Sequence, residues 1–180
     1  MIILFGAAGS GKSVQGKILA QKYGWEWMSV GQLLRDKQSD DLNETMKTGG
    51  LVDDRIVVNM MHDRMMELVY AGKSAILDGY PRDEWQAEWL VKNEDTKYIQ
   101  VAIILDVPHA ELWKRLEARG RMDDTIDAIE KRWGVFEQTI YTMTEKLESQ
   151  GVPVVRIDGS GEIPVITGRI EQVLRERGII

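Results

Sequence analysis

One stretch constrains this chain more than any other: Ile2-Ile3-Leu4-Phe5-Gly6-Ala7-Ala8-Gly9-Ser10-Gly11-Lys12-Ser13. The apolar run Ile2 to Phe5 predicts a buried strand. Gly6, Gly9 and Gly11 let the backbone bend tightly and come close to a ligand, and Lys12 and Ser13 stand where a helix begins. Strand, glycine, four residues, Gly-Lys-Ser and helix follow in the order of a phosphate-cradling loop. Backbone N–H groups and the helix N-terminus supply partial positive charge, and Lys12 supplies a full one. The Ser13 hydroxyl suits Mg²⁺. A chance glycine-rich turn is the competing reading, and it does not account for Lys-Ser and a helix following in sequence.

The chain has 180 residues and 43% apolar residues, which fits one globular domain, residues 1–180, with a sizeable core. Its net charge of −6 argues against general binding to nucleic acid or an acidic membrane, so any polyanion must be met by arginines gathered locally. There are 0 cysteines, which excludes disulfides and zinc–thiolate sites and permits a reducing compartment. No apolar run approaches the ~20 residues of a membrane span, and no basic leader precedes the first strand, so no signal peptide is expected. A cytoplasmic protein is expected.

Strand and helix patterns alternate along the chain. Helix is predicted from Ser13 to Tyr23, with Val14, Ile18 and Leu19 on one face and Gly24 as its stop. A short strand is predicted within Trp25 to Val30. A polar segment with few apolar anchors follows as far as Gly49-Gly50. Asp53-Asp54 opens a helix whose Met60, Met61, Met65 and Met66 read as packing. Ser74 to Leu77 and Ile99 to Leu105 read as buried strands, flanking a helix from about Asp83 to Lys92. A helix from His109 to about Arg119 precedes a very long one from Asp123-Asp124 to Ser149. Gly134 inside it marks a hinge or close packing. Val152 to Ile157 is the last strand, and a helix from about Glu162 to Arg177 closes the chain. This alternation predicts an α/β fold with a parallel sheet, helices on both faces and ligand at the strands' carboxyl ends.

Asp78-Gly79-Tyr80-Pro81-Arg82 stands at the end of one such strand. Asp78 is placed to orient Mg²⁺ waters, and the planar Arg82 guanidinium suits phosphate oxygens. An ordinary turn is the bland alternative.

The phosphate loop, Asp-Gly-Tyr-Pro-Arg, Asp106-Val107-Pro108 and Arg119-Gly120-Arg121-Met122-Asp123-Asp124 occur in the order found in adenylate kinases. Over nearly its whole length the sequence resembles that family and the wider nucleoside monophosphate kinases. The resemblance implies a P-loop NTPase fold with a five-stranded parallel sheet, a monophosphate-binding insertion at 30–59 and a very short lid at 116–131. It implies a monomer that binds ATP, AMP and ADP with Mg²⁺ and no zinc. Gly9, Ser10, Gly11, Lys12, Ser13 and Val14, with Arg115 and Arg119, are expected to hold ATP. Val30, Arg35, Gly50, Leu51, Val52, Gly79, Tyr80, Pro81, Arg82 and Gln86 are expected to hold AMP. Lys12, Arg82, Arg121 and Arg132 follow the transferring phosphate, with Arg121 and Arg132 reaching across to the AMP side. Ser13 and Asp78 serve the metal, Asp78 through water. A Gln86 amide can donate to and accept from a base edge. Relatives acting on UMP or CMP tend to carry Asn there, so Gln86 favours AMP.

The chain departs from the family pattern in several places. Tyr80 replaces the usual Phe, Val30 a common Thr, Gln32 a common Asp, Val14 a common Thr and Ala8 the usual Pro. Only Gly120 separates Arg119 from Arg121, and such a lid is expected to exclude water less well. The competing readings are a UMP or CMP kinase, a regulatory module that binds nucleotide without transfer, and, for the arginines, surface pairing with Glu111, Glu117 and Glu130. His62 and His109 are not expected to be catalysts. The six tryptophans read as core and edge packing.

Overall fold

The computed structural model describes residues 1–30, 33, 54–119 and 126–180, except for the side chains of Arg119 and Ala128. Five strands, β1 (Ile2–Gly6), β2 (Glu26–Ser29), β3 (Ala75–Asp78), β4 (Val101–Asp106) and β5 (Val154–Asp158), form one sheet in the order β2-β3-β1-β4-β5. Every pairing is parallel, with Leu4 of β1 opposite Asp78 of β3 and Ile103 of β4. The helices are α1 (Lys12–Tyr23), α2 (Asp54–Tyr70), α3 (Glu84–Lys92), α4 (His109–Arg119), α5 (Ile126–Ser149) and α6 (Ile163–Glu176).

The central strands are apolar throughout because both faces are covered. Successive residues point to opposite faces. Ile3 and Phe5 pack with Val58, Met61 and Met65 of α2, Leu90 of α3 and Met143 and Leu147 of α5. Ile2 and Leu4 pack on the other side with Leu19 of α1 and Ile170 and Leu174 of α6. Met61 and Met65 are wholly buried, and Met60 and Met66 pack at the cluster's edge, as expected of adaptable filling.

Two local expectations are corrected. Val14 does not join the buried face of α1. It is 45% exposed, and the helix instead buries Gln15, Gly16, Leu19 and Ala20. A Cβ on Gly16 would lie 2.9 Å from Trp27 Cδ1, so this glycine lets α1 settle on the sheet. The Gln15 amide donates to the Ile163 carbonyl at 3.0 Å and accepts from the Thr167 hydroxyl at 2.7 Å, tying α1 to α6. Gly134 is not a close-packing position: a Cβ there would meet nothing within 4 Å, and α5 runs through it unbroken.

Helix ends follow their sequence signals. Gly24 stops α1 at φ 68°, and its N–H donates to the Ala20 carbonyl. Asp83 caps α3 by accepting from the Gln86 backbone N–H at 2.8 Å. The N-terminus of α1 has no acidic residue in its first turn and no side-chain cap. Its orphan N–H groups are left for something else.

Within 30–59, Val30 and Leu33 lie against Val57, Met60 and Met61, and residues from Asp54 on belong to α2. Arg35, Gly50, Leu51, Val52 and Arg121 lie outside the described residues. Of 116–131, Leu116 and Ile129 are buried together with Leu112 and Trp133.

Candidate active site

Strand β1 leads into α1 on one face of the sheet, and its neighbour β3 leads into α3 on the other. The crevice between their carboxyl ends is where an open parallel sheet takes a ligand. Two motifs meet there. The Gly79 N–H donates to the Leu4 carbonyl at 3.2 Å, which seats the Asp-Gly turn beside the root of the phosphate loop.

The loop needs its glycines for stated reasons. Gly9 and Gly11 have φ of 90° and 88°, a region that L side chains rarely adopt. A Cβ on Gly9 would also sit 2.9 Å from the Leu112 carbonyl oxygen. Gly9→Ala is therefore expected to cost about 1–3 kcal/mol of stability and to weaken ATP binding. Thermal melts and an ATP titration check both effects.

Lys12 opens α1 and is half-buried. Its Nζ lies 3.4 Å from the Ala7 carbonyl oxygen. A Cβ on Gly79 would be 3.3 Å from Lys12 Cε, so the lysine stem runs across the Asp-Gly turn and Gly79 leaves it room. Ser13 and Val14 are exposed on the first turn of α1. Ser10 is buried, and its hydroxyl has no hydrogen-bond partner.

Asp78 is 3% exposed, and neither carboxylate oxygen has a hydrogen-bond partner. A buried, unpartnered carboxylate is costly unless something cationic uses it. Arg82 faces it from four residues on. The Arg82 Nε donates to the Gly79 carbonyl at 3.1 Å, while its side chain stays open to solvent at the cleft mouth. Crowding by surrounding protein lowers the Arg82 guanidinium from its ordinary value, Asp78 opposes this, and Arg132 adds to it. Arg132, on α5, thus comes within electrostatic reach of Arg82. Two cations sharing one field suit a ligand with several negative charges.

The Tyr80 ring is wholly buried, and its hydroxyl has no hydrogen-bond partner. Burial pushes the phenol well up, with Asp95 and Asp83 adding to the effect. What Tyr80 and Pro81 offer a ligand is therefore backbone. Gln86 is 2% exposed; its Oε1 accepts from the Arg82 backbone N–H at 2.9 Å and its Nε2 donates to Asp54 Oδ1 at 2.8 Å. One amide N–H and one lone pair remain. Burial raises the neighbouring Asp83 carboxyl, which the Gln86 backbone N–H offsets and Asp54 reinforces.

Arg115 of α4 reaches the far side of the cradle. It donates to the Ser10 carbonyl at 3.1 Å and to the Gly159 carbonyl at 2.9 Å, and it pairs with Glu111. The pairing with Glu111 weighed in the sequence is thus present, and the same guanidinium bridges the phosphate loop to the turn after β5. Arg119 closes α4.

Three participants gave no functional signal in the sequence. Trp133 of α5 donates its indole N–H to the Ala8 carbonyl at 2.9 Å. Asp54 holds the Gln86 amide. Glu111 accepts from the Gly161 N–H at 3.2 Å, which lowers its carboxyl below the usual range, with Arg115 adding to it.

The model of the family described as adenylate kinase matches residues 4–152. The chain belongs to the adenylate kinase family. It is 33% identical to an adenylate kinase of Parabacteroides distasonis over 185 aligned positions, covering 96% of each chain. An adenylate kinase of Maricaulis maris is 32% identical, covering 98% of this chain and 99% of its own. Human adenylate kinase isoenzyme 1 is 31% identical, covering 94% and 91%. The fold is accordingly the P-loop NTPase form of adenylate kinases. Among the described residues, no group of three or more His, Cys, Asp or Glu could hold a metal ion by itself.

Proposed function

We propose that this chain is a phosphotransferase that moves the terminal phosphate of ATP to AMP, giving two ADP. The observation that carries the reading is the meeting of an uncapped helix N-terminus and Lys12 with the Asp78–Arg82 turn in one crevice. ATP phosphates lie along Gly9, Ser10, Gly11, Lys12, Ser13 and Val14, with Arg115 and Arg119 on the side of the base. AMP lies toward Arg82 and Gln86, with Gly79, Tyr80 and Pro81 offering backbone and Val30, Arg35, Gly50, Leu51 and Val52 completing its site.

The acceptor is itself a phosphate, so the protein need supply little acid–base chemistry. Its work is to hold two polyanions end to end and to balance charge as it moves from one to the other. Lys12 serves the donor phosphates and Arg82 the acceptor, while Arg121 and Arg132 span the gap. The remaining N–H and lone pair of Gln86 suit an adenine edge.

Asp78 and Ser13 fit a Mg²⁺ site. The carboxylate is buried with both oxygens unpartnered, and the Ser13 hydroxyl is exposed on the first turn of α1. Magnesium, when bound there, neutralises phosphate charge. We read the protein as a cytoplasmic monomer with nucleotides as its partners and no nucleic acid or membrane. No described helix is long and apolar enough to cross a membrane.

An acceptor panel tests this reading. With ATP and Mg²⁺, AMP is expected to be phosphorylated far faster than UMP or CMP. Equal rates, or none, would reject it. Because the segment between Arg119 and Arg121 is a single glycine, hydrolysis of ATP without AMP is expected above background. Phosphate release at background while transfer is fast would contradict that expectation.

A further inference from the structure

Trp133 follows Arg132 on α5 and is 8% exposed. Leu112, Leu116 and Ile129 enclose it. The His109 ring stacks on it at 4.6 Å and 29°, and Trp113 meets it edge-on at 6.2 Å and 76°. His109 is held in turn, with Nε2 2.7 Å from Glu137 Oε1. A buried indole N–H calls for a hydrogen-bond partner. Here the indole N–H is aimed at the Ala8 carbonyl of the phosphate loop, 2.9 Å away.

We propose that Trp133 is a positioning residue for ATP: it pins one side of the phosphate loop and thereby aims an N–H on the other. This rests on the reading that the loop holds ATP phosphates. Among the described residues the one cis peptide is Tyr80–Pro81, so the Ala8–Gly9 peptide is trans. In a trans peptide the carbonyl and the N–H point in opposite directions. Holding the Ala8 oxygen against α5 turns the Gly9 N–H away from α5. Gly9, at φ 90°, is a residue about which the peptide plane rotates easily. Ala8, unlike a proline, does not restrain the loop by its own ring. The indole supplies the restraint from outside. The same bond sets α5, and with it the neighbouring Arg132, against the loop.

The test compares Trp133→Phe, which removes the N–H but keeps an aromatic ring, with Leu112→Ala, which opens the same apolar cluster without removing the hydrogen bond to Ala8. Each is titrated separately with ATP and with AMP by calorimetry, and KM is measured for both, well below the melting midpoint. Trp133→Phe is expected to raise Kd and KM for ATP about fivefold, the scale of one hydrogen bond, with AMP changed less than twofold. Leu112→Ala is expected to lower Tm and leave both affinities within twofold. Benzothienylalanine placed at position 133, with sulfur in place of the N–H, keeps the shape of the side chain and should reproduce the ATP effect if the phenylalanine variant folds poorly. Equal shifts for ATP and AMP, no shift, or a matching ATP shift in Leu112→Ala would overturn the proposal. A wild-type protein that binds no ATP would overturn this and the functional reading together. Normal wild-type turnover with an unchanged ATP-to-AMP affinity ratio in Trp133→Phe would overturn this alone.

Discussion

Replacing Lys12 with methionine is expected to lower kcat by roughly 100- to 1,000-fold, the scale of losing one preorganised electrostatic contact to a transition state. Methionine keeps the length of the stem and removes the charge. The stem lies across the Gly79 turn, so packing there survives. Lys12 Nζ is 3.4 Å from the Ala7 carbonyl oxygen, a long contact for a hydrogen bond. The melting temperature is expected to move by only a few degrees while turnover collapses. Initial rates at saturating ATP and AMP, set beside a thermal melt, check both halves. Near-normal turnover would mean that phosphate charge is met elsewhere.

Asp78→Asn is expected to lower kcat/KM about 100-fold and to raise the Mg²⁺ concentration needed for half-maximal rate. The substitution is nearly isosteric. The carboxylate is 3% exposed and accepts no hydrogen bond, so the amide displaces no protein partner. A residue present for stability would be bonded at this depth. Stability should change by about 1 kcal/mol or less, since the lost attraction to Arg82 is offset by the easier burial of a neutral group. A magnesium titration of initial rates, with denaturant unfolding alongside, separates the two roles. A large loss of stability with unchanged magnesium dependence would make Asp78 a structural partner of Arg82.

Much of the fold was legible in the sequence because a parallel sheet covered on both faces leaves a strong mark. Ile2 to Phe5 and Val101 to Leu105 are apolar without interruption, and helical stretches punctuated by Gly24, Gly72 and Gly151 stand between strands. The strand order was not legible, because local pattern does not say which neighbours β1 takes. The α1 face was misread for a physical reason: Gly16 and Gln15 look like surface residues, yet one admits the Trp27 ring and the other is satisfied by α6. At the site, residues that touch phosphate through a fixed local geometry stood out, as Gly9, Lys12 and Arg82 did. Residues that act through another element did not. Trp133 lies 125 positions from Ala8, and nothing in its own neighbourhood announces the hydrogen bond. Glu111 and Asp54 are likewise ordinary helix residues until the fold brings Gly161 and Gln86 to them.

On the proposed function, one crevice joins a donor and an acceptor nucleotide so that a phosphate passes directly between them. Incubating the protein with Mg²⁺, unlabelled AMP and ATP labelled at its terminal phosphate, then locating the label, tests this most directly. Label is expected in the β-phosphate of ADP, with two ADP formed for each AMP consumed. Label confined to inorganic phosphate, with AMP left unphosphorylated, would contradict it.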